Sequence, residues 1–326
     1  MRIALVGLGS IGRRHLGNLR ALAPHAEIAV VRRARGDDGV PEGADRVLFS
    51  LDEALAAKPE LALVCGPTST HVDVGLACLR AGANLFVEKP LGVDAASVRV
   101  LVDAAASAGR ALTVGYNLRF LPSLRALRAA LLDGSIGRPM SLRAEVGQYL
   151  PEWRPERDYR ETNSARAAFG GSVEFELSHE IDYVRWLLGE PISVDALLAR
   201  TSDLEIDVDD TAELLLRFGN GCIASLHMDM TQRAPTRTCR IAGTDGTLLW
   251  DGIVGEVRRY RPGEGWSTMF TGDGDRNAMY RDEMADALAS VRGESGALAS
   301  GHDGLRVVEI AQAARRASQE GLRVQL

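Results

Sequence analysis

The sequence predicts an α/β chain in two parts: an N-terminal domain with a parallel sheet covered by helices on both faces, then an α+β domain with a large, mostly antiparallel open sheet. Three observations carry this. The chain opens on a short apolar run, Ile3 to Val6, that meets Gly7-Leu8-Gly9-Ser10-Ile11-Gly12 and continues into helix-forming sequence. Strand-like and helix-like segments then alternate as far as Val114, and beyond Pro191 successive strands of alternating character take over. At 326 residues the chain is too long for one small core, and it divides into a first domain over 1–119 and a second over 120–326.

Composition narrows the function classes. Nearly half the residues are apolar, 46%, so a sizeable core can be buried. A formal charge of −6 without a dense basic stripe argues against a nucleic-acid partner. Cys65, Cys78, Cys222 and Cys239 lie far apart in apolar settings without metal-ligand spacing, and they read as reduced core thiols of a cytoplasmic protein that holds no metal. The apolar start is broken by glycines and followed by Arg13 and Arg14, unlike a secretory signal, and no stretch reaches the ~18–20 apolar residues of a membrane span.

In chain order, the glycine run comes first. Strand, glycine turn and helix in that order form a Rossmann dinucleotide-binding fingerprint: Gly7 permits the tight turn, Gly9 lets backbone approach a pyrophosphate, and Gly12 lets the helix pack close to the strand. Ser10 and Ile11 open that helix, whose unpaired N–H groups and positive dipole end suit phosphates. The helix runs to about Leu22, and a second strand spans Glu27 to Val31. Where NAD-specific folds carry an acid on the ribose 2′-hydroxyl, this chain has Arg32 and Arg33, a pair suited to a 2′-phosphate. NADP(H) is therefore favoured over NAD(H), with Asp37 or Asp38 as the groups that could still reach a ribose.

A short helix follows over Asp52 to Ala57, and Leu61 to Cys65 is a buried strand that runs into Gly66-Pro67-Thr68-Ser69-Thr70-His71. Ligands of this architecture bind in such loops at the carboxyl edge of the sheet, which selects Pro67, Thr68 and His71. Val72 to Ala81 is helical, and Leu85 to Val87 delivers Glu88-Lys89-Pro90. A helix over Ala95 to Ser107 and a strand over Ala111 to Val114 complete the unit near Gly115-Tyr116-Asn117.

The combination of GLGSIG, the loop PTSTH, EKP after a strand and GYNLRF resembles the Gfo/Idh/MocA family of NAD(P)-dependent sugar and cyclitol oxidoreductases, in order and spacing along the whole chain. The resemblance implies that Lys89 lies between nicotinamide and substrate, that Glu88 and Pro90 position it, that the peptide before Pro90 is cis, and that Tyr116 belongs to the substrate set. It also implies that His179 acts in proton transfer and that Asp182 binds substrate hydroxyls. Many members carry a further aspartate four residues before the histidine; here that position is Phe175, and the nearest acid is Glu176.

The second domain begins with an amphipathic helix, Leu121 to Leu132, and a strand, Pro139 to Tyr149. A long loop follows, with Arg154, Arg157, Arg160 and Arg166 beside Trp153 and Tyr159. Guanidinium forks match carboxylate and phosphate oxygens and aromatic faces pack on sugar C–H surfaces, so Arg154 and Arg160 are candidates for an acidic sugar. Glu152, Glu156, Asp158 and Glu161 stand among them and could neutralise them instead. Ser172 to Leu188 then reads as one helix with Glu176, His179, Asp182 and Arg185 at intervals of three, either around a ligand or as a salt-bridged surface. The wording of this region resembles the family branch associated with surface-polysaccharide and sialic-acid-like sugars.

Six strands between Ile192 and Tyr260 follow, with hairpin turns at Gly219-Asn220-Gly221 and Asp245-Gly246. Along Thr211 to Phe218, Ala212, Leu214, Leu216 and Phe218 form the core face, while Glu213, Leu215 and Arg217 point away. The resemblance makes that outer face a subunit interface, hence a homodimer or homotetramer. Helices over Asn277 to Val291 and Gly304 to Ser318 close the chain, the latter returning toward the first domain.

The activity so read is a dehydrogenase or reductase acting on CH–OH groups, with Lys89 supporting charge on the reacting oxygen and His179 as acid/base, since an imidazole titrates near about 6.5. Which of the two exchanges the proton stays open. A hydrolase or lyase that keeps the cofactor for transient oxidation, and a cofactor-sensing protein without chemistry, share the fold.

Overall fold

A computed structural model of the chain describes residues 1–32 and 39–326. In chain order the elements are β1 (Arg2–Val6), α1 (Ser10–Leu22), β2 (Glu27–Val31), β3 (Arg46–Leu48), α2 (Leu51–Ala56), β4 (Leu61–Val64), α3 (His71–Arg80), β5 (Asn84–Val87), α4 (Ala95–Ser107) and β6 (Leu112–Val114). There follow α5 (Pro122–Leu132), β7 (Pro139–Gly147), α6 (Val173–Glu176), α7 (His179–Leu188), β8 (Pro191–Ala199), β9 (Thr211–Phe218), β10 (Ile223–Asp229) and β11 (Thr236–Gly243). The chain ends with β12 (Thr247–Asp251), β13 (Glu256–Arg261), β14 (Gly265–Thr271), α8 (Ala278–Val291), α9 (Gly301–Glu320) and β15 (Val324–Gln325). Two compact units result: one gathers 1–117 and 277–308, the other 118–276 and 309–326.

The first unit holds a six-stranded parallel sheet in the order β3-β2-β1-β4-β5-β6. Its central strands are apolar on both faces: Ile3, Leu5, Ile28, Val30, Leu61 and Leu63 are all buried, as a sheet covered on two sides requires. The strand order reverses between β1 and β4, which is where a doubly wound sheet opens a ligand crevice at its carboxyl edge. Helix α8 packs in this unit, with Met284, Ala287 and Leu288 in one core cluster with Leu16, Leu19 and Phe86. The division 1–119 and 120–326 read from sequence kept residues 277–308 with the second domain, whereas here they belong to the first unit.

In the second unit nine strands form one sheet, β14-β13-β12-β11-β7-β10-β9-β8-β15, antiparallel throughout except for the β7–β10 pair. Alternation along β9 buries Ala212, Leu214, Leu216 and Phe218 and exposes Glu213, Leu215 and Arg217. Each fully buried leucine of this face contributes about 1.5–3 kcal/mol. Tyr183 of α7 meets Trp250 of β12 edge to face at 5.6 Å, and the Trp250 indole N–H donates to Ser123 of α5 at 2.8 Å. The free cysteines are buried in both units. Strand β14 escaped the sequence reading because its residues, Trp266 and Met269 among them, are mostly exposed and carry no alternation.

The helix expected over Ser172 to Leu188 is two helices, α6 and α7, separated at Leu177 (φ −100°, ψ 24°). Tertiary contacts hold the first of them. The Glu174 carboxylate, fully buried, accepts from Arg315 at 2.9 and 2.6 Å, and the Val173 N–H donates to the Asp209 carbonyl at 3.2 Å. The break makes His179 the first residue of a helix. Among the described residues no helix is long and apolar enough to cross a membrane.

Candidate active site

The glycine turn of the first unit is built by exclusion. Gly7 has φ +98°, and a Cβ on it would lie 2.8 Å from backbone atoms of Cys65 and Gly66 just beyond β4. A Cβ on Gly12 would lie 2.2 Å from the Gly7 carbonyl oxygen and 3.5 Å from Leu5, so Gly12 relieves the turn first and the strand packing second. At Gly9 nothing stands within 4 Å of that position. Gly9 caps α1 without a side-chain hydrogen bond, and the first turn holds no acid. Amides at Ser10 and Ile11, unfilled by any capping side chain and with no acid in the first turn, fit a pyrophosphate.

At the end of β2, Arg32 is half-buried and its Nη2 donates to the Gly39 carbonyl at 3.2 Å. Arg33, Asp37 and Asp38 lie outside the described residues. After β4, the Pro67 carbonyl accepts from both the N–H and the hydroxyl of Thr70, at 2.9 and 2.8 Å, and Thr68 is buried. His71, expected among the cofactor contacts, is engaged by two backbone carbonyls. Its ring is 1% exposed, with Nδ1 2.9 Å from the Pro90 carbonyl oxygen and Nε2 3.0 Å from that of Gly66. Burial pulls this imidazole below its ordinary pKa, although both carbonyls favour the charged form.

Strand β5 delivers Glu88 and a half-buried Lys89, and the Lys89–Pro90 peptide is cis. The Glu88 carboxylate, expected to position Lys89, is committed within the protein. Oε1 lies 2.5 Å from His15 Nε2, and Oε2 accepts the Lys89 backbone N–H at 3.2 Å. Nearby, Glu283 of α8 is 1% exposed, and neither of its carboxyl oxygens has a hydrogen-bond partner. Burial, then the charge of Glu88, pushes its pKa well above the carboxyl range. Burial, then the same two carboxyl groups, pushes the Cys65 thiol up as well. Tyr116, expected to touch substrate, is fully buried.

In the second unit, His179 opens α7 and is half-buried, one turn before Asp182. Asp182, expected to bind substrate hydroxyls, is held by an arginine. It is 1% exposed and forms a two-pronged ion pair with Arg119, Nε to Oδ2 at 2.9 Å and Nη2 to Oδ1 at 2.7 Å. Arg185 pairs with Glu190. The regular three-residue spacing therefore reflects partly a salt-bridged interior. Glu176 stays half-buried and accepts from the Ser164 hydroxyl at 2.9 Å, which ties α6 to the preceding loop.

That loop, after β7, is a series of single turns around Leu150–Glu152, Tyr159–Glu161, Asn163–Ala165 and Ala167–Phe169. Arg160 is neutralised: Nε and Nη2 donate to Asp158 at 2.9 and 2.7 Å, and Nη1 reaches Glu205 at 3.2 Å. Two carboxylates therefore hold the fork that was expected to meet substrate. Arg166 donates to the Arg160 carbonyl at 2.7 Å and lies 3.8 Å from Asp207. Arg154 forms no ion pair among the described residues and lines a small hollow with Trp153, Tyr159 and Ser164. Sequence reasoning missed His15 and Arg119, whose partners are 73 and 63 residues away. For His15 a signal existed: it stands three residues after Gly12, on the buried stripe of α1 with Leu16 and Leu19.

Comparison with known proteins bears on this geometry. A family model described as an oxidoreductase family with an NAD-binding Rossmann fold matches residues 1–116, and one described as the GFO/IDH/MocA C-terminal domain matches residues 124–249. Myo-inositol 2-dehydrogenase of Thermotoga maritima is 26% identical, over 100% of this chain and 98% of its own length. Myo-inositol dehydrogenase Hyg17 of Streptomyces leeuwenhoekii is 30% identical over 98% of each. The crystal structure of GenD2 from gentamicin A biosynthesis, in complex with NAD, superposes with a TM-score of 0.85 at 27% identity, covering 100% of this chain and 96% of that one. With a Rossmann NAD-binding domain followed by the mostly antiparallel second domain, the chain belongs to the Gfo/Idh/MocA family of oxidoreductases.

Proposed function

We propose that this enzyme transfers a hydride between NADP(H) or NAD(H) and a carbinol or carbonyl carbon of a sugar or sugar derivative, with Lys89 and His179 at the reacting oxygen. The observation that carries the reading is a scarcity. Of 38 basic residues, 36 are arginine, and Lys58 and Lys89 are the two lysines. Arginine stays charged in proteins, whereas a lysine amine can give up and regain a proton. Lysine at position 89 in so arginine-rich a chain fits a site that needs that exchange. Lys58 is exposed.

The nicotinamide, when bound, supplies or accepts the hydride. Amides at Ser10 and Ile11 would hold its pyrophosphate. In oxidation the C–H bond gives hydride, the O–H proton passes to His179 or Lys89, and the remaining amine or imidazole hydrogen-bonds the oxygen while its charge develops. Reduction reverses each step. Arg32, which follows β2, and Arg33 next to it in the sequence stand where an acid would repel a 2′-phosphate, and they support NADP(H) as the preferred form.

For the substrate, Arg154 and Glu176 are the groups in the second unit that support recognition of a polyhydroxylated, acid-bearing sugar. The outer face of the nine-stranded sheet, with Leu197 63% and Ile223 43% exposed, supports a homodimer or homotetramer. The test is a panel of myo-inositol, free hexoses, uronic acids and nucleotide-diphosphate sugars, followed by the absorbance of reduced nicotinamide, with NAD and NADP run separately. Turnover with a sugar is expected. Cleavage or elimination of a sugar without net nicotinamide turnover would replace this reading with the hydrolase or lyase one.

A further inference from the structure

We propose that His15 and His71 are positioning residues for Lys89: two buried imidazoles hold the residues on either side of it and fix it to the helices that follow the dinucleotide loops. This rests on the reading of Lys89 as catalytic.

The N-terminal side of Lys89 is held through Glu88. His15 is 0% exposed, and its ring meets Phe86 of β5 edge-on at 4.9 Å, which restricts its rotation. Its Nε2 is 2.5 Å from Glu88 Oε1, and Glu88 Oε2 accepts the N–H of Lys89 itself. Gly115 completes the seat. A Cβ there would lie 3.0 Å from Glu88 Oε2 and 3.1 Å from its Oε1, tighter than ordinary contact. On the C-terminal side, His71 places one ring nitrogen at the Pro90 carbonyl and the other at the Gly66 carbonyl, so the loop after β5 is tied to the loop after β4.

The two histidines come from matching places. His15 lies in α1, six residues after the Gly9 cap, and His71 is the first residue of α3. Each helix begins at a loop where the dinucleotide is expected, so the imidazoles link the position of Lys89 to those loops. A lysine amine rides on four rotatable bonds, and fixing the backbone at both neighbours narrows where it can be placed. A displacement of about 1 Å at a catalytic group can cost on the order of a hundredfold in rate.

The sequence supplies a probe that needs no substrate. Reductive methylation with 13C-formaldehyde labels only Lys58, Lys89 and the N-terminal amine, and the Lys58 resonance serves as an internal reference. His15→Leu, and independently Gly115→Ala, which pushes Glu88 aside without touching a histidine, should shift the Lys89 resonance and its titration midpoint while leaving Lys58 in place. His15→Asn, which retains a donor, should restore much of the wild-type spectrum. On a turned-over sugar, His15→Leu should lower kcat about 10–100-fold, with KM little changed, and add no further loss to Lys89→Met. An unmoved Lys89 resonance in both His15→Leu and Gly115→Ala would overturn the proposal. A shifted resonance together with full turnover in Lys89→Met would uphold the clamp and sink the catalytic reading of Lys89 instead.

Discussion

Arg119 grips Asp182 through both prongs of its guanidinium, at 2.9 and 2.7 Å, with the two side chains 3% and 1% exposed. A pair this deeply buried makes Asp182 a structural anchor of α7, and thereby of His179 one turn earlier. Asp182→Ala would leave the Arg119 charge without its main partner away from water, which costs about 3–5 kcal/mol. Urea unfolding should show that loss, while Arg119→Leu with Asp182→Leu should recover most of it. A variant as stable as wild type but with a strongly raised KM would return Asp182 to the substrate.

Lys89→Arg is the sharpest test of proton exchange at that position. Arginine keeps the positive charge and the hydrogen bonds but does not deprotonate. Lys89→Arg and His179→Ala should each fold, bind reduced dinucleotide and lose on the order of 10²–10⁴ in kcat. Full turnover in Lys89→Arg would reduce the residue to a charge that orients the substrate.

Legibility in the sequence followed the range of the interactions. Strand β9 could be assigned face by face because alternation of Ala212, Leu214 and Leu216 with Glu213, Leu215 and Arg217 is a local record of burial. The glycine turn was legible for a similar reason, since Gly7 and Gly12 each avoid an atom within the same short segment or the neighbouring strand. The pairing of Arg119 with Asp182 was hidden, and for His15 the buried stripe of α1 signalled a buried imidazole but not its partner, Glu88, 73 positions away. The break between α6 and α7 was hidden too, since the partners of α6, Arg315 and Asp209, lie far from it in the sequence.

His227 on β10 gives the outer sheet face a pH signature. Its Nε2 is 3.0 Å from Asp229 and its Nδ1 2.6 Å from Glu213. The hydrogen bond to Asp229, with Glu213 adding to it against partial burial, pushes the imidazole from 6.5 up to about 9. A folded-state pKa above the unfolded one means the stabilisation is complete below pH 6.5 and is lost as pH rises through about 9. Asp229 is opposite in sign. Burial works against its charge, but His227, Thr231 and Gln232 hold it down to about 2, so its share is lost only in strong acid. His227→Gln should flatten the decline in thermal stability between pH 6.5 and 9; an unchanged decline would place its origin in other groups.

The arginines of the loop after β7 separate into spent and unspent ones, and this makes recognition of an acidic sugar testable by contrast within one segment. Arg160 is held by Asp158 and Glu205, and Arg166 by the Arg160 carbonyl and Asp207. A substrate carboxylate or phosphate would have to displace those carboxylates to reach either fork. Arg154 faces no such competition among the described residues, and it sits in a hollow with Trp153, Tyr159 and Ser164, the last of which hydrogen-bonds Glu176. A guanidinium beside aromatic faces suits an anion carried on a sugar ring. Arg154→Met should therefore raise KM for a uronic acid or nucleotide-diphosphate sugar about tenfold or more, with less effect on a neutral analogue, because a charge-assisted hydrogen bond is worth about 1.5–3 kcal/mol. Arg160→Met should leave both KM values within about twofold and stability little changed, as expected for an exposed pair. Equal KM effects on acidic and neutral sugars in Arg154→Met would remove anion recognition from this loop.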